Sequence, residues 1–126
     1  TRPYQHVFEP LICYLLIAQK QFENSSFSGA YNVGPNPDSF VNTELLVKKF
    51  KKFTTGFEYK IESDGGPHEA AFLSLDNSKL KKVFKWSPIM DIEQAVKITA
   101  KWYQSYIEQA NMVEISDNQI KEYFSI

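Results

Sequence analysis

A mixed α/β fold in which helix dominates is predicted by three features of the amino-acid sequence. Long segments carry apolar residues at spacings of three and four, as helices with one buried face do. Short aromatic or β-branched stretches lie between them, in the manner of strands. Clusters of Asn, Asp, Gly and Pro separate the two kinds of segment. With 126 residues, the chain is predicted to form one domain, 1–126, around a single core.

The first element is a short strand at Tyr4-Gln5-His6-Val7. Glu9-Pro10 then opens a helix, because proline fits the first turn, where its missing N–H costs nothing. That helix is expected from 10 to 23, with Leu11, Tyr14, Leu15, Ala18 and Phe22 in one stripe. Ile12 and Leu16 widen the stripe until most of the circumference is apolar, so the helix needs cover on more than one side. A strand is expected over 28 to 34, ending in Tyr31-Asn32-Val33-Gly34 and running into the turn at Pro35.

A second amphipathic helix is expected from 41 to 53, with Val41, Leu45, Leu46, Phe50 and Phe53 on its buried face. Lys48, Lys49, Lys51 and Lys52 lie in its last turns, where positive charge suits the negative end of the helix dipole. Phe57 to Ile61 alternates as a half-buried strand does, and the Gly65-Gly66-Pro67 turn that follows marks a loop. Residues 71 to 75 are expected to be extended. Asp76 then caps a short helix bearing Leu80, Val83 and Phe84. Asp91-Ile92-Glu93-Gln94 has the pattern of a capping box and starts a longer helix to about 109. Ser116 is expected to cap a last short helix carrying Ile120, Tyr123 and Phe124.

The bulk composition excludes several functions. Hydrophobic residues at 43% and charged residues at 23% give the balance of a globular domain. A net charge of −1 makes no field that would gather nucleic acid or an anionic membrane. The one cysteine, Cys13, allows no intrachain disulfide and suits a reducing, cytoplasmic compartment. The longest apolar run, 11 to 18, is eight residues, against the about 20 that a membrane span requires. The chain starts with Thr1-Arg2-Pro3 rather than Met, and reads as a cut end.

The sequence also lacks the parts that several chemistries need. Its five glycines stand at 29, 34, 56, 65 and 66, so no glycine-rich turn cradles a dinucleotide pyrophosphate. No Tyr is followed four residues later by Lys: Tyr59 leads to Ser63 and Tyr103 to Ile107. One Cys and the distant His6 and His68 do not make a zinc site of ordinary spacing, and no metal is expected. No G-x-S-x-G elbow is present.

The run Arg2-Pro3-Tyr4-Gln5-His6-Val7-Phe8-Glu9-Pro10-Leu11 is similar to an Arg-Pro-Trp-Gln-His-Val-x-Glu-Pro-Leu stretch of the CDP-glucose 4,6-dehydratases, extended short-chain dehydrogenase/reductases that act on nucleotide sugars. Tyr31-Asn32-Val33-Gly34, Pro67-His68-Glu69-Ala70, Asp76-Asn77-Ser78-Lys79 and Trp86-Ser87-Pro88 resemble further motifs of that family, in the same order. The resemblance implies a small, helix-rich C-terminal substrate domain that lacks the Rossmann NAD domain. In that family an NAD-dependent enzyme turns CDP-glucose into CDP-4-keto-6-deoxyglucose. Its NAD turn and its Tyr-x-x-x-Lys pair would lie upstream of position 1. The expected partners are therefore a CDP-sugar and an N-terminal NAD domain, with no cofactor and no catalytic residue in this chain.

Four substrate-binding residues follow from the resemblance. Arg2, the sole arginine of the chain, resembles the family's clamp on the diphosphate; the plainer reading is a frayed terminal side chain. Asn32, at a strand end, is set either to meet the ligand or to stabilise its own turn. His68 and Glu69 resemble a loop that meets the nucleotide, with the acid placed to accept from ribose hydroxyls. Gly65 stands where the family's second phosphate arginine is expected. Gly66, Ala71 and Tyr4 also depart from the family pattern, which touches cytidine specificity, and Lys85 replaces a helix-ending glycine. Two other readings are an interaction domain that reuses the fold without a ligand, and a portion of a dTDP-glucose dehydratase or UDP-sugar epimerase.

Overall fold

The computed structural model describes residues 1–62 and 72–126. Helix dominates, as the periodicity predicts. The helices are α1 (Phe8–Glu23), α2 (Thr43–Lys51), α3 (Ser78–Phe84), α4 (Ile92–Ile107) and α5 (Met112–Tyr123). Two short strands, β1 (Arg2–Pro3) and β2 (Phe40–Val41), pair antiparallel with Arg2 opposite Val41 and Pro3 opposite Phe40. Single 3-10 turns occupy Ser25–Phe27 and Pro37–Ser39.

The predicted strands need correction. The first lies at 2–3 rather than 4–7, and 28–34 and 57–61 form no ladder among the described residues. A strand is defined by its neighbour, and these segments are held otherwise. Phe57 packs edge-on against Phe50 of α2 and stacks on Tyr59. The 28–34 segment is fastened by side chains, as described below.

The helix termini follow local chemistry. Pro10 falls in the first turn of α1, which starts two residues earlier than predicted. Asn42 caps α2 by accepting from Leu45 N at 2.7 Å. The capping box of α4 is present, with Asp91 accepting from Gln94 N at 2.8 Å and Gln94 Oε1 accepting from Asp91 N at 2.9 Å. The cap expected at Ser116 is wrong. Asn111 caps α5, and Asn111-Met112-Val113-Glu114 itself carries the polar-x-x-acid pattern of a helix start. Lys48, Lys49 and Lys51 pair with Glu44, Glu93 and Glu58. Those lysines are thus neutralised at home, and Lys49–Glu93 also links α2 to α4.

Among the described residues, three small apolar clusters form the core. Cys13 of α1, Leu80 of α3 and Trp86 make the first, with Leu16, Ile17, Tyr31, Val33 and Phe84 against them. Val41, Ile92 and Val96 join β2 to α4, and Tyr4, Leu46 and Phe50 cover them. Met90, Ile98 and Tyr123 bring α4 and α5 against Phe8 and Ile12 of α1. The other side of α1 is apolar too, yet Leu15 is 67% and Phe22 95% exposed. The wide stripe of α1 is thus covered on one side only.

Lys85 ends α3 in the left-handed region, with φ 55°. A side chain there clashes with its own backbone, whereas glycine does not. Lys85→Gly is therefore expected to raise stability by roughly 0.5 kcal/mol, read as a higher urea midpoint with an unchanged slope.

Candidate functional site

Three chain segments meet at one corner of the molecule: β1 with the turn that follows it, residues 30–35, and residues 72–79. Polar side chains lace them together. Gln5 Nε2 donates to Val33 O at 3.3 Å. Asn77, buried at the start of α3, donates to Gly34 O at 2.7 Å and Pro35 O at 3.3 Å. Lys79 Nζ donates to Ala30 O at 2.9 Å and lies 4.6 Å from the centre of the Tyr31 ring, a cation–π distance. Leu73 N donates to Thr1 O at 3.1 Å. These groups take up the carbonyls of Ala30, Val33, Gly34 and Pro35, where a strand would have used a neighbouring backbone.

The lacing accounts for two motifs at once. Asp76-Asn77-Ser78-Lys79 grips Ala30 to Pro35, so the tetrapeptides around Asn32 and Asn77 act as one unit. Gly34 is part of it, since a Cβ there would stand 2.8 Å from the Cβ of Leu75. That contact is too short for any side chain, and only glycine lets the two segments approach. Asp76 holds the entry to α3 by accepting from Ser78 N at 2.9 Å, and the Ser78 hydroxyl, then this amide, keep its carboxyl below the usual range.

Of the four residues expected to touch substrate, two lie at this corner. Arg2 is half-buried in β1, opposite Val41, and its Nη1 donates to Thr1 O at 3.0 Å. Asn32 is exposed, and its Nδ2 donates to Asp76 O at 3.2 Å. That bond ties the 30–35 segment to the start of α3 rather than closing a turn of its own. His68 and Glu69 lie outside the described residues. The chain that follows them comes back to the same corner: Leu73 bonds to Thr1, and Phe72 packs edge-on against Phe40 of β2 at 6.3 Å.

Two buried groups that the sequence reading gave no such part stand behind this corner. His6 is buried, and its Nδ1 accepts from Phe8 N at 3.2 Å. Burial lowers its pKa from 6.5 and keeps the ring neutral. Charging it costs folding energy, so it contributes a loss of stability as pH falls below the unfolded value. Glu9 is 1% exposed. Its Oε1 accepts from Ile89 N at 2.9 Å and Met90 N at 2.8 Å, and its Oε2 from the Tyr123 hydroxyl at 3.1 Å. Burial and the neighbouring Glu9 charge push the Cys13 thiol up to about 11 and raise the Tyr123 phenol. Cys13 is thus a packed thiol rather than a nucleophile. No signal in the sequence separates a buried Glu-Pro from an ordinary helix start.

Among the described residues, no group of three His, Cys, Asp or Glu side chains is placed to hold a metal, and no helix is long and apolar enough to cross a membrane. No protein-family model matches the chain. The chain is 31% identical, over 126 residues and 98% of its length, to a CDP-glucose 4,6-dehydratase of Salmonella typhimurium. It covers 35% of that protein, and so spans about a third of the length of the curated relative it matches. The resemblance carried by the run from Arg2 to Leu11 thus extends along nearly the whole chain.

Proposed function

We propose that this chain is the substrate-binding portion of a CDP-glucose 4,6-dehydratase, the part that grips a CDP-sugar while a second portion holds NAD and carries out the chemistry. The observation that supports this most is the similarity to the Salmonella typhimurium enzyme along 98% of the chain. In this reading Arg2 places a planar guanidinium fork against the diphosphate. Asn32, within the laced 30–35 segment, turns its amide to the ligand, and His68 and Glu69 meet the nucleoside. The lacing by Gln5, Asn77 and Lys79 fixes the corner from which these groups act.

The residues of this chain do not suit NAD. The 30–35 segment has no glycine-rich turn, and no Tyr-x-x-x-Lys pair is present. No hydride step is therefore assigned to it. The exposed outer side of α1, with Leu11, Tyr14, Leu15 and Phe22, is an apolar surface of the kind that a second domain covers. We assign it to the NAD-binding portion.

Two results test the reading. The purified chain, given NAD and CDP-glucose, is expected to bind no NAD and to form no 4-keto product, because the groups that supply the redox step are not in it; product from the chain alone would overturn this. The reading frame upstream of Thr1 is expected to encode a glycine-rich dinucleotide turn and a Tyr-x-x-x-Lys pair. A frame without them would remove the dehydratase assignment and favour a ligand-free interaction domain.

A further inference from the structure

We propose that the cavity between the Gln5–His6 turn, α4 and α5 is a second binding site, for a small neutral polyol such as a monosaccharide in its pyranose form. The cavity measures about 310 Å³, at the ~300 Å³ lower end of ligand pockets. A neighbouring hollow of about 190 Å³ shares Gln5, His6 and Thr99 with it.

Its polar groups are arranged for hydroxyls. Gln5 spends its amide N–H on Val33 O, and its Oε1 is fully buried without a hydrogen-bond partner. With no accessible surface this oxygen is closed to a ligand, and Gln5 serves the cavity as a wall fixed by its bond to Val33 O. His6 accepts at Nδ1 from Phe8 N, which leaves the proton of the neutral ring on Nε2 as a donor. Thr99 gives its hydroxyl proton to Ala95 O at 2.8 Å and is left as an acceptor. Ser116 Oγ accepts from the Trp102 indole N–H at 3.1 Å, and its own proton is left to donate. Two donors and one acceptor thus come from three elements, the turn at His6, α4 and α5.

The remaining surface fits the C–H faces of a sugar ring, with Phe8, Trp102 and Tyr103 as apolar walls. Among the described residues, no Lys, Arg, Asp or Glu lines the cavity, so a phosphate or another ion is not matched there. A nucleobase is neutral too, yet it offers its hydrogen bonds along one edge, whereas a pyranose offers hydroxyls around its rim. The site uses neither Arg2 nor Asn32, and it stands or falls apart from the nucleotide-sugar reading.

The test is a titration of methyl β-D-glucopyranoside into the isotope-labelled chain, followed at the Trp102 indole N–H resonance. A saturable shift is expected, with a dissociation constant on the order of 1 mM for so small a ligand. The Trp86 indole, buried with Cys13 and Leu80, is expected to stay still. Thr99→Val and Ser116→Ala are each expected to weaken binding about tenfold, the loss of one hydrogen bond. Ser116→Ala carries the test if Thr99→Val does not fold. No saturable shift with the glucoside, or full affinity in the folded variants, would overturn the site. Cytidine binding at least as tightly as the glucoside would overturn the polyol assignment.

Discussion

Glu9→Ala is expected to lower the unfolding free energy by about 3 kcal/mol or more, the largest loss of any single substitution in the described fold. The carboxyl group is buried and accepts from two backbone amides, Ile89 N and Met90 N, and from the Tyr123 hydroxyl. Removing it leaves three donors in the interior and opens a cavity, and both effects act in the same direction. The loss is also topological. Glu9 starts α1, residues 89 and 90 lead into α4, and Tyr123 closes α5, so one side chain ties three helices. Tyr123→Phe removes a single bond and is expected to cost only about 1 kcal/mol. Glu9→Gln keeps the volume and an acceptor for the two amides, and should fall between them. Urea unfolding of the three variants measures the ranking. A Glu9→Ala loss no greater than that of Tyr123→Phe would mean that packing, rather than this acceptor, holds the helices together.

The ranking bears on what a sequence discloses. The helices were legible because each writes its own period and its own caps: the stripes of α1 and α2, and the capping box at Asp91. Asn111 was legible in principle, since it opens a polar-x-x-acid pattern, but Ser116 to Gln119 offers a competing polar cluster and drew the cap five residues too far. Strand residues were harder to place. Phe57-Glu58-Tyr59-Lys60-Ile61 alternates correctly, yet alternation states only that one face can be buried, and the partner strand is chosen elsewhere. The same holds for 28–34, whose carbonyls go to Gln5, Asn77 and Lys79, side chains distant in sequence.

The candidate site divides in the same way. Its motifs could be read along the chain, but their mutual grip could not. Nothing in Tyr31-Asn32-Val33-Gly34 says that Asn77 and Lys79 hold it, or that Leu75 leaves no room for a Cβ at Gly34. Glu9 read as a helix-opening acid because a buried and a solvated Glu-Pro are spelled alike. Only the packing of residues 89, 90 and 123 around it makes the difference.

Arg2→Ala, in the complete protein that the proposed function implies, is expected to weaken binding of CDP by about 2 kcal/mol or more, roughly thirtyfold. The diphosphate brings about two negative charges into a partly dry cleft, where charge-assisted hydrogen bonds contribute roughly twice what neutral ones do. Arg2 is the sole arginine of this chain, and Gly65 stands where a second phosphate arginine is expected, so within this chain no other guanidinium shares the load. The backbone pairing of Arg2 with Val41 survives the substitution, which confines the loss to the side chain. Arg2→Lys keeps the charge without the planar fork and should lose less than Arg2→Ala but more than nothing. His68→Ala removes at most one hydrogen bond in this reading and should cost about 1 kcal/mol. Calorimetric titration of CDP into the three variants decides the order. If His68→Ala loses as much as Arg2→Ala, or if Arg2→Lys binds as the parent does, then the diphosphate is held elsewhere and Arg2 acts as a point charge or not at all.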